Sequence, residues 1–166
     1  MLRVAGFVKE SIVDGPGIRY VIFTQGCAHN CPGCHNLHTH NYLGGNLVDI
    51  DDVYKDILKN PLVKGVTISG GEPLDQVSEV LKLVLKLKSS GYNIIIFTGY
   101  RYEDIYEKSI QNSDYIQILQ NVDIVIDGKY EKNNTNEFLR FRGSCNQRII
   151  DSVKTLEKHE IVTVEI

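Results

Sequence analysis

The sequence predicts an α/β fold built on a mainly parallel sheet. Apolar runs rich in β-branched and aromatic residues alternate with segments in which apolar residues recur at helical spacing. Strands that alternate with helices form βαβ crossovers, which place neighbouring strands parallel to one another. A closed eight-unit barrel typically needs about 250 residues, whereas this chain has 166. An open or partial βα barrel, or a doubly wound sheet, therefore fits the length.

The predicted strands and helices follow one another in order along the chain. Predicted strands cover 2–8, 20–24, 64–69, 93–100, 122–130, 147–153 and 160–166. Predicted helices cover 51–60, 75–90 and 103–112. Asp49 is placed to cap the first helix, and Pro61 is placed to stop it. Gly91 suits the position just past the end of the second helix.

Composition and charge narrow the class of protein. The chain is 42% hydrophobic and 23% charged, which provides a sizeable core and excludes disorder. Its formal net charge of -3 shows no basic surplus, so we expect no nucleic-acid partner. The first residues lack the apolar stretch of a signal peptide, and no later run is long enough to span a membrane. We therefore expect a cytoplasmic protein with a single domain, 1–166, and no membrane partner.

Residues suited to ligand binding follow directly after several predicted strands. The cysteine-rich loop comes after YVIFT, GGEP after VTIS, TGY after IIIF and DGK after DIVI. The carboxyl ends of parallel strands meet at one edge of a sheet, where α/β folds gather their ligand-binding loops. We expect one site at that edge.

Three cysteines within one loop are the clearest chemical signal in the sequence. Cys27, Cys31 and Cys34 form the pattern C-x3-C-x2-C, and the glycines and proline among them permit a sharp backbone course. A disulfide is not expected, because so tight a cluster closes almost no loop. Thiolates are soft ligands that suit zinc or an iron–sulfur cluster.

The number of ligands separates the two metal chemistries. A closed structural zinc site and a usual [4Fe–4S] cluster each take four protein ligands, so three cysteines leave one position open for another molecule. The candidates that would close a zinc site are the distant cysteine and the nearby histidines: Cys145, His29, His35, His38 and His40. A zinc-binding interaction module without catalysis is therefore one alternative.

Several further motifs accompany the cysteines in a characteristic order. They are DGPGIR (14–19), TQGCAHNCPGCHN (24–36), SGGEPL (69–74), FTGY (97–100), VIDGKY (125–130) and RGSCNQRIID (142–151). In order and spacing these segments resemble the activating proteins of the anaerobic (class III) ribonucleoside-triphosphate reductase, within the radical S-adenosylmethionine (SAM) superfamily. The resemblance covers about 5–151, which leaves 152–166 as a strand-like C-terminal extension.

The resemblance implies a fold, a cofactor and a reaction. The fold would be a partial (open) βα barrel of the radical SAM type. Cys27, Cys31 and Cys34 would hold three irons of a [4Fe–4S] cluster, with the fourth iron open to SAM. One electron would cleave SAM to methionine and a 5′-deoxyadenosyl radical, which would take a hydrogen atom from a glycine of the reductase large subunit. The enzyme would need a low-potential electron donor such as flavodoxin.

The resemblance also implies which residues contact SAM. They lie in the cysteine loop and in the GGEP turn: Gly33, Cys34, His35, Gly70, Gly71 and Glu72. Glu72 would lie near the positively charged methionine amino group. His35 stands where the superfamily commonly has an aromatic residue against the adenine. Asp14 or Arg19 would meet the glycine loop of the partner, and Cys145 would not be a ligand.

A rival interpretation keeps the chemistry and changes the partner. Activases of other glycyl-radical enzymes, such as the formate-lyase type, share DGPG and GGEP. They are usually longer, so the compact length and the RGS-NQR segment favour the reductase.

Overall fold

The computed structural model describes every residue from Met1 to Ile166. Its centre is one seven-stranded sheet. The strands are β1 (Leu2–Ser11), β2 (Arg19–Thr24), β3 (Asn46–Val48), β4 (Gly65–Gly70), β5 (Asn93–Phe97), β6 (Ile124–Asp127) and β7 (Arg148–Asp151). The helices are α1 (Ile50–Leu58), α2 (Val77–Ser89), α3 (Tyr102–Lys108), α4 (Asp114–Asn121) and α5 (Ser152–Lys158). No helix among them has both the length and the apolar character required to cross a membrane.

The sheet is mixed rather than mainly parallel. Its strand order is β3-β1-β2-β4-β5-β6-β7, and the central strands β2, β4, β5 and β6 run parallel. The pairings β1 with β2, β1 with β3 and β6 with β7 are antiparallel. The short 12–18 connection between β1 and β2 leaves no room for the helical crossover that parallel strands need. The prediction of a mainly parallel sheet therefore holds only for the central strands.

The helices pack on one face of an open sheet. One core cluster of 26 buried residues lies between the sheet and the helices. It combines strand residues such as Ile68 and Ile96 with helix residues such as Val84 and Ile118. The opposite face carries a small separate cluster of Ile95, Ile126 and Ile149. The edge strands β3 and β7 do not pair with each other, so the sheet does not close. The second face therefore lacks a helical layer and is covered in part by the last residues of the chain.

Two predicted helix boundaries have the expected physical cause. The Asp49 side chain accepts the Asp51 N–H at 2.8 Å and caps α1. Gly91 has φ +79°, as expected just past the end of α2. A short 3-10 helix (Pro73–Gln76) replaces the first turn of the predicted second helix. The sequence analysis missed β3 and α4, which have only three and eight residues.

The C-terminal extension differs from its prediction. Residues 152–158 form the helix α5 and not a strand, because the Asp151 carboxylate accepts the Lys154 N–H at 2.9 Å and caps it. His159 ends the helix in the left-handed conformation, with φ 55°. The last residues do return beside β7, where Val164 N donates to Ile149 O at 2.9 Å. Only one bridge, between Ile150 and Thr163, has strand geometry there.

Candidate active site

The loops at the carboxyl ends of the parallel strands enclose one cavity of about 210 Å³. The register of the strands explains why: Thr24 at the end of β2 pairs with Gly70 at the end of β4. The cavity lining includes residues predicted for the site: Cys27, Cys31, Cys34, His35, Gly70 and Gly71. The structure thus brings the cysteine loop and the GGEP turn to the same space.

Backbone hydrogen bonds hold the cysteine loop in place. The Cys34 N–H donates to Cys31 O at 3.1 Å, which closes a tight turn through Gly33, whose φ is +74°. The Cys27 N–H donates to His40 O at 3.2 Å, so the chain after the cysteine loop holds the backbone of the first cysteine. The Asn36 N–H donates to Cys34 Sγ at 3.4 Å. Each of the three thiols is thereby carried on a constrained backbone and reaches the cavity half-buried.

The electrostatic surroundings of Cys27 oppose a free thiolate. Burial raises the pKa of the Cys27 thiol, while a hydrogen bond from the His29 backbone lowers it and the nearby Glu72 charge raises it further. A cationic metal centre would reverse this preference, because coordination deprotonates a thiol. The site therefore suits a thiol that is metal-bound.

The donor set fits an open iron–sulfur cluster better than a closed zinc site. No group of three or more His, Cys, Asp or Glu side chains is arranged to enclose a single metal ion. In a [4Fe–4S] cluster each cysteine binds a different iron, so the thiols need not converge on one point. Cys145 is exposed and lies outside the cavity lining.

One buried polar atom in the cavity lacks a partner. His40 lines the cavity, and its Nε2 is buried without any hydrogen bond from the protein. Buried polar groups are nearly always satisfied in folded proteins. This nitrogen is therefore available to a bound polar molecule.

The glycines of the GGEP turn are required by close backbone packing. A Cβ at Gly71 would lie 2.3 Å from Gly26 O, and a Cβ at Gly70 would lie 2.5 Å from Thr24 N. Gly70 also has φ +102°, which side-chain-bearing residues rarely adopt. The backbone of the turn can therefore approach Gly26 this closely only with glycine at position 71.

Glu72 does not line the cavity, contrary to the expectation that its charge faces a ligand. Its carboxylate is fully buried. The hydrogen-bond partners of this carboxylate all come from the protein: Leu74 N at 2.9 Å, Thr98 Oγ1 at 2.9 Å, Gly99 N at 2.8 Å and His29 Nε2 at 2.7 Å. Glu72 also begins the Pro73–Gln76 helix as its N-cap. These four contacts hold the side chain inside the protein.

His35 and Tyr130 form an aromatic wall beside the cysteines. Their ring centroids are 4.7 Å apart, and both residues line the cavity. His35 is exposed, so its ring is accessible from solvent. The sequence analysis did not select Tyr130, although its position just after β6 is the same signal that indicated the other loops.

Arg19 is buried and bonded within the protein. It is 1% exposed, and its guanidinium donates to Thr67 Oγ1 at 2.7 Å and to Asn93 Oδ1 at 2.9 Å. Burial lowers the pKa of Arg19 to about 10, against the opposing charges of Asp123 and Asp14. It lies at the amino end of β2, about 17 Å along the strand from the cysteine loop. The expected contact of Asp14 or Arg19 with the partner stays a prediction, and the burial of Arg19 favours Asp14.

Comparison with known proteins agrees with this geometry. The family model of a 4Fe-4S single cluster domain matches residues 13–150. The anaerobic ribonucleoside-triphosphate reductase-activating protein of Enterobacteria phage T4 is 36% identical over 156 residues, which cover 89% of this chain and 93% of that protein. The chain belongs to the family of anaerobic ribonucleoside-triphosphate reductase-activating proteins.

Other members of this family are similar over nearly the same length. The reductase-activating protein of Escherichia coli is 33% identical over 149 residues, which cover 85% of this chain and 93% of that protein.

Among solved structures, the crystal structure of QueE from Escherichia coli aligns with 59% of this chain and 52% of that chain, at 21% identity and a TM-score of 0.45. Membership of the activating-protein family rests on the sequence relatives.

Proposed function

We propose that this protein is a radical SAM activase that generates the glycyl radical of the anaerobic ribonucleoside-triphosphate reductase. One observation carries the proposal: the three cysteines open onto the same cavity as the backbone of Gly70 and Gly71. The names of the relatives state the target, a reductase that must be activated. The open sheet, with its helices on one face, supports a partial βα barrel around this cavity.

Each group of residues has a role in the proposed site. Cys27, Cys31 and Cys34 would hold three irons of a [4Fe–4S] cluster and leave the fourth for the amino and carboxylate groups of SAM. When bound, the cluster supplies one electron that splits SAM into methionine and a 5′-deoxyadenosyl radical able to take a hydrogen atom from the target glycine. The hydrogen-bonded loop backbone holds the three thiols in place, which supports a preorganised site for the cluster.

The remaining cavity residues would orient SAM. The backbones of Gly70 and Gly71 line the cavity without side chains in the way, which supports close contact with the methionine part. Gly33 lies outside the cavity lining, in the turn between Cys31 and Cys34, and would act by shaping that turn. His35 and Tyr130 supply ring surfaces suited to stacking on the adenine. Glu72 would act indirectly, because its carboxylate is satisfied by the protein.

The proposed partners are the large subunit of the reductase and a low-potential electron donor such as flavodoxin, in the cytoplasm. Half-buried thiols and an exposed His35 leave the cavity accessible from outside. A radical intermediate needs a site that excludes water. The reductase would therefore supply part of the cover.

The cluster is tested by replacing one ligand and one non-ligand cysteine. The wild-type protein is reconstituted anaerobically with iron and sulfide and then reduced. We expect a cluster EPR signal that changes on addition of SAM, together with formation of 5′-deoxyadenosine. Cys31→Ala should lose both, because its thiol lines the cavity. Cys145→Ala should retain both, because its side chain is exposed and lies outside the cavity.

The partner is tested by incubating the reconstituted and reduced activase with each of two glycyl-radical enzymes. We expect a glycyl-radical EPR signal on the anaerobic reductase and none on a formate-lyase-type enzyme. The reverse pattern would assign the protein to the rival partner. A colourless protein that holds stoichiometric zinc and forms no 5′-deoxyadenosine would leave only a zinc-binding module.

A further inference from the structure

Three loops of the site meet at the buried carboxylate of Glu72. Glu72 belongs to the GGEP turn, and its carboxylate accepts hydrogen bonds from Thr98 and Gly99 in the loop after β5. It also contacts His29, which lies between two cysteines of the cysteine loop. The Glu72 N–H in turn donates to Gly26 O at 2.7 Å. The GGEP turn is thus joined to the cysteine loop by one backbone and one side-chain contact.

The His29 ring is held on several sides and points away from solvent. Its side chain is 10% exposed, and its Nε2 lies 2.7 Å from Glu72 Oε2. The other partners of the carboxylate are all hydrogen-bond donors, so Nε2–H is the fourth donor. The ring packs edge-on against Tyr100 at 4.6 Å between centroids. A Cβ on Gly99 would lie 2.3 Å from His29 Cδ2, so the ring fills the space beside that glycine.

We infer that His29 is a positioning residue that acts through Glu72 to hold the cysteine loop at a set distance from the GGEP turn and the Thr98–Gly99 segment. The inference rests on the proposed function for its catalytic consequence. His29 lines the cavity, but its Nε2 faces the Glu72 carboxylate, which lies outside the cavity lining. Their hydrogen bond fixes the distance between the cysteine loop and the GGEP turn, which would contact SAM from different sides.

The spacing of the two loops matters because SAM would bridge them. In the proposed site, the thiols of the cysteine loop hold the cluster that binds SAM, while the backbone of Gly70 and Gly71 contacts the same molecule. Loosening the connection between the loops leaves each half intact but removes their preorganisation. Residues that orient metal ligands through a hydrogen bond typically contribute about 10- to 100-fold to affinity or activity.

The catalytic arm of the test separates the hydrogen bond from the packing of the ring. His29→Phe keeps a ring against Tyr100 and removes the donor, whereas His29→Gln restores an N–H donor of similar reach. With iron and sulfide content held equal to wild type, we expect His29→Phe to raise the KM for SAM about 10-fold and to change kcat little. His29→Gln should recover most of the loss. The control His38→Ala alters an exposed imidazole of the same loop outside the cavity lining and should match wild type.

A second arm uses the protein without its cluster. Hydrogen–deuterium exchange of the apo protein should show faster exchange in 98–100 and 70–73 for His29→Phe, with wild-type exchange for His29→Gln and His38→Ala. Unchanged exchange in these segments would overturn the inference, as would an unchanged KM for SAM. Loss of iron in His29→Phe that His29→Gln does not restore would also overturn it. If wild type forms no 5′-deoxyadenosine, the proposed function fails, and the exchange result alone still decides whether His29 holds the loops together.

Discussion

At the scale of single residues, the closest approaches in the site are between backbones. Gly71 contacts Gly26 so tightly that a Cβ would lie 2.3 Å from the Gly26 carbonyl oxygen. A flexible side chain could move aside at little cost, but both neighbours here are main chain. The Gly71 and Glu72 N–H groups also bond across this contact, to Thr24 O and Gly26 O. The GGEP turn can therefore lie this close to the cysteine loop only because position 71 is glycine.

Replacement of Gly71 by alanine should damage both stability and ligand binding. We expect Gly71→Ala to lower the free energy of unfolding by about 1–3 kcal/mol, because the added methyl group forces the backbone apart. The SAM-dependent change in the cluster EPR signal should weaken in parallel. Urea unfolding and EPR titration measure the two effects.

The matched control for that substitution is Gly6→Ala. A Cβ at Gly6 meets nothing within 4 Å, so this variant should unfold and bind SAM as wild type does. If Gly71→Ala behaves like Gly6→Ala in both measurements, close packing of the two loops does not govern the site.

At the scale of elements, Arg148 joins a helix to two strands. The Arg148 guanidinium at the start of β7 donates to Asp127 at the end of β6, with Nε to Oδ1 at 3.0 Å. It also donates to both carboxylate oxygens of Glu103 in α3, at 3.0 and 2.7 Å. Asp127 further accepts the Tyr102 N–H at 2.8 Å at the start of α3. These contacts fix α3 over the antiparallel β6–β7 pair beside the site.

This ion pair predicts a pH dependence of stability. The hydrogen bond from Arg148 holds the pKa of Glu103 at about 2, well below its ordinary value of 4.5. A carboxyl group whose pKa is lowered by folding stabilises the protein above its unfolded pKa. That stabilisation is lost as the pH falls from about 4.5 towards about 2. Because the Glu103 side chain is 54% exposed, we expect a contribution of no more than about 1 kcal/mol.

Urea unfolding of Glu103→Gln between pH 7 and pH 2 tests the ion pair. The variant should be less stable than wild type at pH 7, and the difference should disappear near the low end of the range. Glu107→Gln is the control, since Glu107 is exposed on the same helix and forms none of the observed ion pairs. A stability difference for Glu103→Gln that persists unchanged at low pH would contradict the assignment.

At the scale of the whole molecule, the two faces of the sheet are covered unequally. Every helix contributes to the large core on one face or packs against it. On the other face, the cluster of Ile95, Ile126 and Ile149 is covered by Val164 and Ile166 from the end of the chain. The C-terminal segment therefore takes the place that a helical layer occupies on the opposite face.

Deletion of residues 160–166 should destabilise the protein by about 2–4 kcal/mol, since it uncovers apolar surface of the size of one to two side chains. The variant should also bind a hydrophobic dye. Urea unfolding and dye fluorescence measure the two effects. Glu165→Gln, which leaves the apolar contacts in place, is the control. A deletion variant as stable as wild type would show that the cluster of Ile95, Ile126 and Ile149 does not need the C-terminal segment as a cover.

Residue pattern alone predicted the main strands, the first two helices and the location of the site. The pattern C-x3-C-x2-C identified Cys27, Cys31 and Cys34, because three thiols in one short loop have few structural uses. The placement of GGEP after β4 predicted that Gly70 and Gly71 lie at the same sheet edge as the cysteines, because parallel strands gather their carboxyl ends there. These features are local or follow from connectivity, so they can be recognised before any contact is known.

Only the tertiary structure decided strand direction, the fate of the C-terminal residues and the roles of individual polar side chains. Pairing direction and the α5 helix depend on connections and capping contacts, which override the apolar pattern of 152–166. The resemblance predicted a SAM contact for Glu72 and a partner contact for Asp14 or Arg19. In the structure both Glu72 and Arg19 are buried, and Glu72 accepts hydrogen bonds from the protein while Arg19 donates to it. A residue type determines which interactions a side chain can form, and only the packed chain determines which partners lie within reach.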